Sequence, residues 1–258
     1  MANTLQGTTV LVTGAGGGLG KVIATAYLEA GANVAICDIN EERLGQARSE
    51  LESTQRFLAL NTDITDEAAV TKLVDDVVAK FGRLDIVVSN AGMADTFDPV
   101  GSVSKQNWDR VINLNLTGSF LVFKAAVNVM EKQSSGIIIQ ICSTASYHGT
   151  SAGVAYTASK HGVAALVKNT AGFYGPKGIY TVGLMLGGMI DTNIQDSFAA
   201  LGGFNTDAFS MSPSAAFKPE MAIQTKNVAK YCVFLADKDI AASSNGSMIR
   251  FNKNYPNA

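Results

Sequence analysis

Charge is scarce in this 258-residue chain. Asp, Glu, Lys and Arg make up 16%, and 20 basic side chains nearly balance 22 acidic ones. A net charge of −2 without a basic cluster excludes the electrostatic footprint of a nucleic-acid binder. Histidine is limited to His148 and His161, and no Cys/His group has metal-ligand spacing, so no metal site is expected. Cys37, Cys142 and Cys232 are odd in number and far apart. They do not suit a disulfide framework; they suit free, buried thiols in a reducing compartment, hence a cytoplasmic location. No charged N-terminal region precedes a long apolar run, so no secretory signal is expected. Apolar runs fall well short of the ~20 residues a membrane span needs. With no Pro- or Ser-rich linker, repeat or composition break, one domain over residues 1–258 is expected.

Apolar residues (47%) and glycine (25 residues) are plentiful. Short β-branched runs alternate with helical periodicity. Strands are expected at Thr8–Val12, Ala32–Cys37, Phe57–Leu60, Leu84–Val88, Ile137–Ile141, Thr181–Leu186 and Ser247–Phe251. Between them fall helical stretches: one from Val22 to Gly31, Glu41–Ser53, one capped by Asp66 and ending at Phe81, Trp108–Lys132, one around Tyr156 ending near Gly175-Pro176, and Lys226–Ala236. The alternation predicts an α/β fold, a doubly wound parallel sheet of about seven strands with helices on both faces. Residues 188–221 show no clean period.

The first strand runs into Thr13-Gly14-Ala15-Gly16-Gly17-Gly18-Leu19-Gly20 and then a helix. Glycines there let backbone approach a pyrophosphate, and the helix N-terminus faces its charge. Asp38, ending the second strand, can accept hydrogen bonds from adenosine ribose hydroxyls and would repel a 2′-phosphate. Neither Ile39 nor Gly17 is basic, so NAD(H) is expected over NADP(H). The alternative is that Asp38 merely caps the Glu41 helix.

Tyr156 and Lys160 stand four residues apart, one helical turn on a common face. A phenol is a poor proton carrier at neutral pH, and a nearby ammonium favours the phenolate. The pair therefore suits proton transfer to or from an alcohol oxygen. Ordinary packing of a tyrosine over a lysine stem gives the same spacing.

Four motifs stand in one order: the glycine turn, Asn90-Ala91-Gly92, Asn115 within Asn115-Leu116-Thr117-Gly118, and Ser143 with Tyr156 and Lys160. Over nearly the whole chain the sequence resembles the short-chain dehydrogenase/reductase family, in its single-domain Rossmann-type form of about 250 residues. The resemblance implies that Tyr156 is the general acid or base and that Lys160 assists it and grips the nicotinamide ribose. It implies that Ser143 polarises the substrate oxygen and that Asn115 holds a water linking Lys160 to solvent. For the cofactor it implies Gly14, Gly17, Gly18, Leu19, Gly20, Asp38 and Ile39 at the phosphate and ribose end, and Asp63 and Ile64 at the adenine. It places Asn90, Ala91 and Gly92 on the floor, and Ile190 and Thr192 at the nicotinamide amide and phosphate. Ser146 and Thr144 compete with Ser143, and Asn113 with Asn115. His148 is within reach of a substrate; His161 reads as a helix-packing residue.

The chain departs from the family pattern after the sixth strand, where Gly187 stands in place of a proline and is expected to loosen the turn. It departs again at Arg250-Phe251-Asn252-Lys253-Asn254, near the family's subunit contacts. Residues 188–221 fall at the family's substrate lid, with apolar Phe198, Leu201, Phe204, Phe209, Met211 and Phe217. These suit a bulky cyclic secondary alcohol or ketone of terpenoid, steroid or polyketide type, and equally suit a core or subunit contact. The expected function is hydride transfer between NAD(H) and such a small-molecule substrate, by a homo-oligomer (tetramer or dimer). The alternatives are a cofactor-dependent isomerase and a non-catalytic NAD-binding regulator.

Overall fold

The computed structural model describes residues 4–52 and 55–255. Its strands are β1 (Thr9–Thr13), β2 (Asn33–Asp38), β3 (Phe57–Asn61), β4 (Ile86–Ser89), β5 (Gly136–Ser143), β6 (Ile179–Leu186) and β7 (Met248–Phe251). They form one parallel sheet in the order β3-β2-β1-β4-β5-β6-β7. β1 lies near the middle, with Val10 opposite both Val34 and Ile86. The strands are apolar on both faces because helices cover both.

The helices are α1 (Gly18–Glu29), α2 (Glu41–Leu51), α3 (Glu67–Phe81), α4 (Lys105–Ile112), α5 (Ser119–Gln133), α6 (Val154–Tyr174), α7 (Asp196–Ala200), α8 (Thr206–Ser210), α9 (Thr225–Phe234) and α10 (Lys238–Ser243). Ile23 and Tyr27 of α1, Leu44 of α2, Val228 of α9 and Ala241 of α10 share one core with Val10, Val12 and Ile139. Leu73 of α3, Val122 of α5 and Val167 of α6 share the other with Leu11, Val87 and Ile138. Adjacent strand residues serve opposite layers, as the period of two requires. Burying each of these Ile, Leu and Val side chains contributes about 1.5–3 kcal/mol. The Tyr27 hydroxyl donates to the Cys232 carbonyl at 2.7 Å, tying α1 to α9. The three cysteines are free and buried. The α2 helix ends at Leu51; the expected end at Ser53 lies outside the described residues.

The long helix expected over Trp108–Lys132 is three consecutive helical pieces. Between α4 and α5, residues Asn113–Gly118 form a wider π-turn containing Asn115.

Gly187 does not loosen its turn. Its N–H donates to the Phe251 carbonyl at 3.0 Å, a bond that proline could not make. A Cβ at 187 would lie 2.9 Å from the Asn252 Cα. β7 therefore fixes the chain leaving β6. Replacing Gly187 by proline should remove about 1–3 kcal/mol of stability through the lost bond and the contact with Asn252. Urea unfolding would read this as a lower midpoint at unchanged slope.

The aperiodic region after β6 folds down over the carboxyl ends of the strands. Ser197 Oγ accepts from the Ala94 N–H at 3.2 Å, and the Asn205 N–H donates to the Thr96 carbonyl at 2.8 Å. Asn107 and Arg110 of α4 donate to the Leu201 and Ala200 carbonyls. Among the described residues no helix is long and apolar enough to cross a membrane, and no group of acidic, cysteine and histidine side chains could hold a metal.

Candidate active site

Sheet order reverses direction between β1 and β4, the place where open α/β sheets leave a crevice at their carboxyl ends. The glycine turn lies there. Gly14 has φ +62°, and a Cβ on it would lie 2.6 Å from the Ala91 Cα. A Cβ on Gly20 would lie 2.4 Å from the Gly14 carbonyl oxygen and 2.7 Å from Asn90 Nδ2. Asn90 Nδ2 donates to the Thr13 and Gly14 carbonyls, and the Thr13 hydroxyl accepts the Asn90 and Ala91 N–H groups. The turn and the Asn90-Ala91-Gly92 segment are thus one built unit.

Gly17 is the N-cap of α1 and carries no capping side chain, so the helix N-terminus is open beside Gly18 and Leu19. Asp38 Oδ2 accepts the Gly16 N–H at 2.9 Å, while Oδ1 accepts the Asn40 N–H at 2.9 Å. The side-chain cap of α2 is Asn40, which accepts the Arg43 N–H, so capping is not the whole role of Asp38. Side-chain-free backbone, an uncapped helix start and a carboxylate at the end of β2 fit a dinucleotide.

The remaining cofactor candidates are less alike. Ile39 is exposed. Asp63 turns its carboxylate to the Thr65 N–H and hydroxyl, both at 2.8 Å. The Ile64 side chain is buried, and a Cβ on Gly118 would lie 2.8 Å from its Cδ1. Thr192 lies beside the turn, its Cα 3.6 Å from a Cβ placed on Gly18, whereas the Ile190 side chain is exposed. Three neighbours of this end give no signal in the sequence. Asn193 Nδ2 approaches to 3.1 Å of a Cβ on Gly17, Arg43 lies beside the same turn, and Asp196 of α7 pairs with Arg43. Chain separation hides Asn193 and Asp196, whose contacts form only when the region after β6 folds back.

Tyr156 and Lys160 do share one face of α6, with the lysine Nζ 5.4 Å from the tyrosine ring centroid. Lys160 is buried, 4% exposed, and donates to the Ile141 carbonyl at 3.1 Å. Tyr156 is half-buried against a small apolar cluster of Val111, Ala155 and Leu201, which Met93 and Trp108 also cover. Ser143 ends β5, and of the neighbouring hydroxyls it alone is not buried; Thr144 and Ser146 are. Ser143 Oγ accepts the Ala145 N–H at 3.2 Å and has its own hydrogen left to donate.

Asn115 is buried and Asn113 exposed. The Asn115 amide accepts from the Met93 N–H at 2.9 Å and donates to the Met93 carbonyl and to Ser159 Oγ. Its side chain is therefore a brace between the floor segment and α6, and its own carbonyl takes the Ser119 hydroxyl at 2.8 Å. His161 is exposed and contacts its own helix at the Thr157 carbonyl. Burial pushes the Cys142 thiol up to about 11, with the Lys160 ammonium pulling the other way. That thiol stays protonated at neutral pH.

Sequence comparison agrees with this geometry. The sequence model of a family described as short chain dehydrogenase matches residues 8–200. The chain is 40% identical over 257 residues to a short chain dehydrogenase/reductase, dpfgG, of Gibberella zeae, covering 98% of this chain and 95% of that one. Secoisolariciresinol dehydrogenase of Forsythia intermedia is 38% identical over 157 residues, 60% of this chain and 56% of the relative. Among solved structures, a variant of actinorhodin polyketide ketoreductase with NADPH superposes at a TM-score of 0.84, with 25% identity and full coverage of both chains.

Proposed function

The chain belongs to the short-chain dehydrogenase/reductase family, and on that footing we propose an NAD-dependent alcohol dehydrogenase or ketoreductase acting on a bulky, apolar, cyclic secondary alcohol or ketone. The observation that carries the chemistry is the buried Lys160 ammonium set behind the half-buried Tyr156 on one face of α6. A nicotinamide cofactor, for which Asn90, Ala91 and Gly92 would form the floor, would supply the hydride acceptor or donor. The Tyr156 phenolate takes the alcohol proton in oxidation, and the phenol so formed returns it in reduction. Ser143 Oγ donates to the same substrate oxygen, so two donors meet the charge that develops there. Asn115 keeps the floor and α6 in register.

Asp38 supports NAD over NADP. Arg43, beside the glycine turn, is the cation a 2′-phosphate would have to recruit, and Asp196 already holds it. The lid reading of residues 188–221 rests on the docking of α7 and α8 against the floor segment. Phe97 packs on Phe204 and Phe209 at centroid separations of 5.6 and 5.1 Å, and Phe198 packs on Phe204 at 4.7 Å, an apolar wall suited to an apolar substrate. The names of two relatives, a secoisolariciresinol dehydrogenase and a polyketide ketoreductase, lean the same way.

The test is a panel of cyclic and acyclic alcohols with NAD and NADP, then the ketones with the reduced cofactors. Turnover is expected on cyclic apolar alcohols, with NAD at least about tenfold better in kcat/KM, one carboxylate–phosphate repulsion being worth that much. Faster turnover on a short polyol, or equal use of NADP, sinks the corresponding half of the proposal.

We also propose a homo-oligomer in the cytoplasm. Phe120 and Phe173 are exposed on α5 and α6, and Leu116, Phe120, Ala165 and Leu166 line an apolar groove between these helices. Sedimentation velocity should show a dimer or tetramer.

A further inference from the structure

The helix that carries Tyr156 has no cap of its own. Its N-cap is Gly153, which offers no side chain. The cap comes from the far side of the crevice, from the segment that follows the cofactor floor. Asp95, 2% exposed, accepts the Gly153 N–H on Oδ1 at 3.1 Å and the Tyr156 N–H on Oδ2 at 2.9 Å. It also accepts the N–H of Phe97 at 3.1 Å, and the Asp98 carbonyl accepts the Val154 N–H at 2.9 Å. One segment thus satisfies three of the donors that a helix start leaves open. The fit is close: a Cβ on Gly153 would lie 2.5 Å from Asp95 Oδ2. Phe97 sits at φ +67°, a left-handed conformation that a bulky side chain seldom adopts, and this holds Asp95 and Asp98 against α6 together.

We propose that Asp95 is a positioning residue for the reaction, setting Tyr156 by gripping its backbone N–H across the crevice. This rests on Tyr156 being the proton-transfer group, as proposed above. Asp95 touches neither substrate nor cofactor in this role. It acts through residue 156 itself, the third residue of α6, and so fixes where the phenol stands relative to the floor segment from which Asp95 projects. The same segment meets the lid, through the Thr96 carbonyl and through Asp98, whose carboxylate accepts from Asn205 Nδ2 at 2.7 Å. Floor, lid and proton-transfer helix are referenced to one another at this point.

The carboxylate is not there for stability alone. Burial pushes the Asp95 carboxyl above its ordinary value, and the three N–H donors recover only part of that shift. A raised folded-state value means that the stabilising contribution exists below the usual carboxylate range and is lost as pH rises through the raised value.

The test compares Asp95→Asn, Asp95→Ala and Asp98→Asn, in the full chain, for kcat, KM, NAD affinity and thermal unfolding. Asp95→Asn keeps the shape but can accept only through one oxygen. It should lower kcat on the order of tenfold, and Asp95→Ala on the order of a hundredfold, the scale of a misplaced reacting group. NAD affinity and KM should stay within about threefold, since the loss belongs to the transition state. Asp98→Asn disturbs the segment's tie to the lid but removes no cap donor's acceptor, and should keep kcat within about threefold. Three results would overturn the inference: unchanged kcat in both Asp95 variants, no graded rescue by asparagine over alanine, or an equal kcat loss in Asp98→Asn. A Tyr156→Phe enzyme that kept its turnover would overturn the reading of the site and this inference with it. A dead Tyr156→Phe beside a fully active Asp95→Ala would overturn this inference alone.

Discussion

Tyr156→Phe should reduce turnover on the order of a thousandfold, within the range that a positioned acid or base contributes. Binding of NAD should change by less than about threefold, because kcat alone reports an interaction made only in the transition state. The substitution is mild for the fold. The Tyr156 ring packs with Val111, Ala155 and Leu201 through carbon atoms that phenylalanine keeps. The Tyr156 N–H bond to Asp95 belongs to the backbone and survives. Only the hydroxyl is lost, so the effect isolates the proton transfer. Steady-state kinetics with a fluorescence titration of NAD would check it. Turnover within about tenfold of the parent would show that another group carries the proton, since general acid–base catalysis is worth at least a hundredfold.

Lys160→Ala should damage turnover and NAD binding together, each by on the order of a hundredfold, because one buried charge serves both tasks. Lys160 is 4% exposed, and its ammonium stands between the Tyr156 ring and the Ile141 carbonyl. Removing it deletes the positive charge that favours a phenolate and leaves a void where the stem lay. The Ile141 carbonyl is not orphaned, because Gln140 Nε2 also donates to it at 3.1 Å. Lys160→Met separates the effects: it refills the void without restoring charge. Methionine should recover thermal stability and little of either function. Equal NAD affinities in the Tyr156→Phe and Lys160→Ala enzymes would mean that the two roles are misassigned.

The sheet was legible because its signal is local. Runs such as Ile137–Ile141 are β-branched and bounded, and Asp66 caps α3 as its position predicts, accepting the Ala68 and Ala69 N–H groups. Boundaries slipped where side chains replaced ladder bonds. Leu84 was expected in β4, but its N–H goes to Gln133 Oε1, and the strand begins at Ile86. The π-turn at Asn113–Gly118 was invisible because an extra residue in one turn leaves the apolar period on either side intact. The segments α7 and α8 are five residues each, too short to show a period. α10 was missed because it buries a single side chain, Ala241, and the first turn of α4 because none of its side chains is buried. In the site, residue types and order pointed to Tyr156, Lys160, Ser143 and the glycine turn. Asp95 was not legible: its partners are 58 and 61 residues away, and nothing near Gly153 announces a missing cap.

The bond from the Gly187 N–H to the Phe251 carbonyl has a consequence for biosynthesis. A ribosome delivers this chain from one end, and N-terminal portions fold first. β1, β2 and β3, with the glycine turn, emerge within the first quarter of the sequence and can pair as soon as they clear the tunnel. β7 spans Met248–Phe251 and follows the other strands in chain order. Until it is made, the segment leaving β6 has no edge to register against, and Thr192 has no fixed seat beside the glycine turn. The nascent chain can therefore form its nucleotide cradle early, but it completes the other end of the crevice only once β7 has followed.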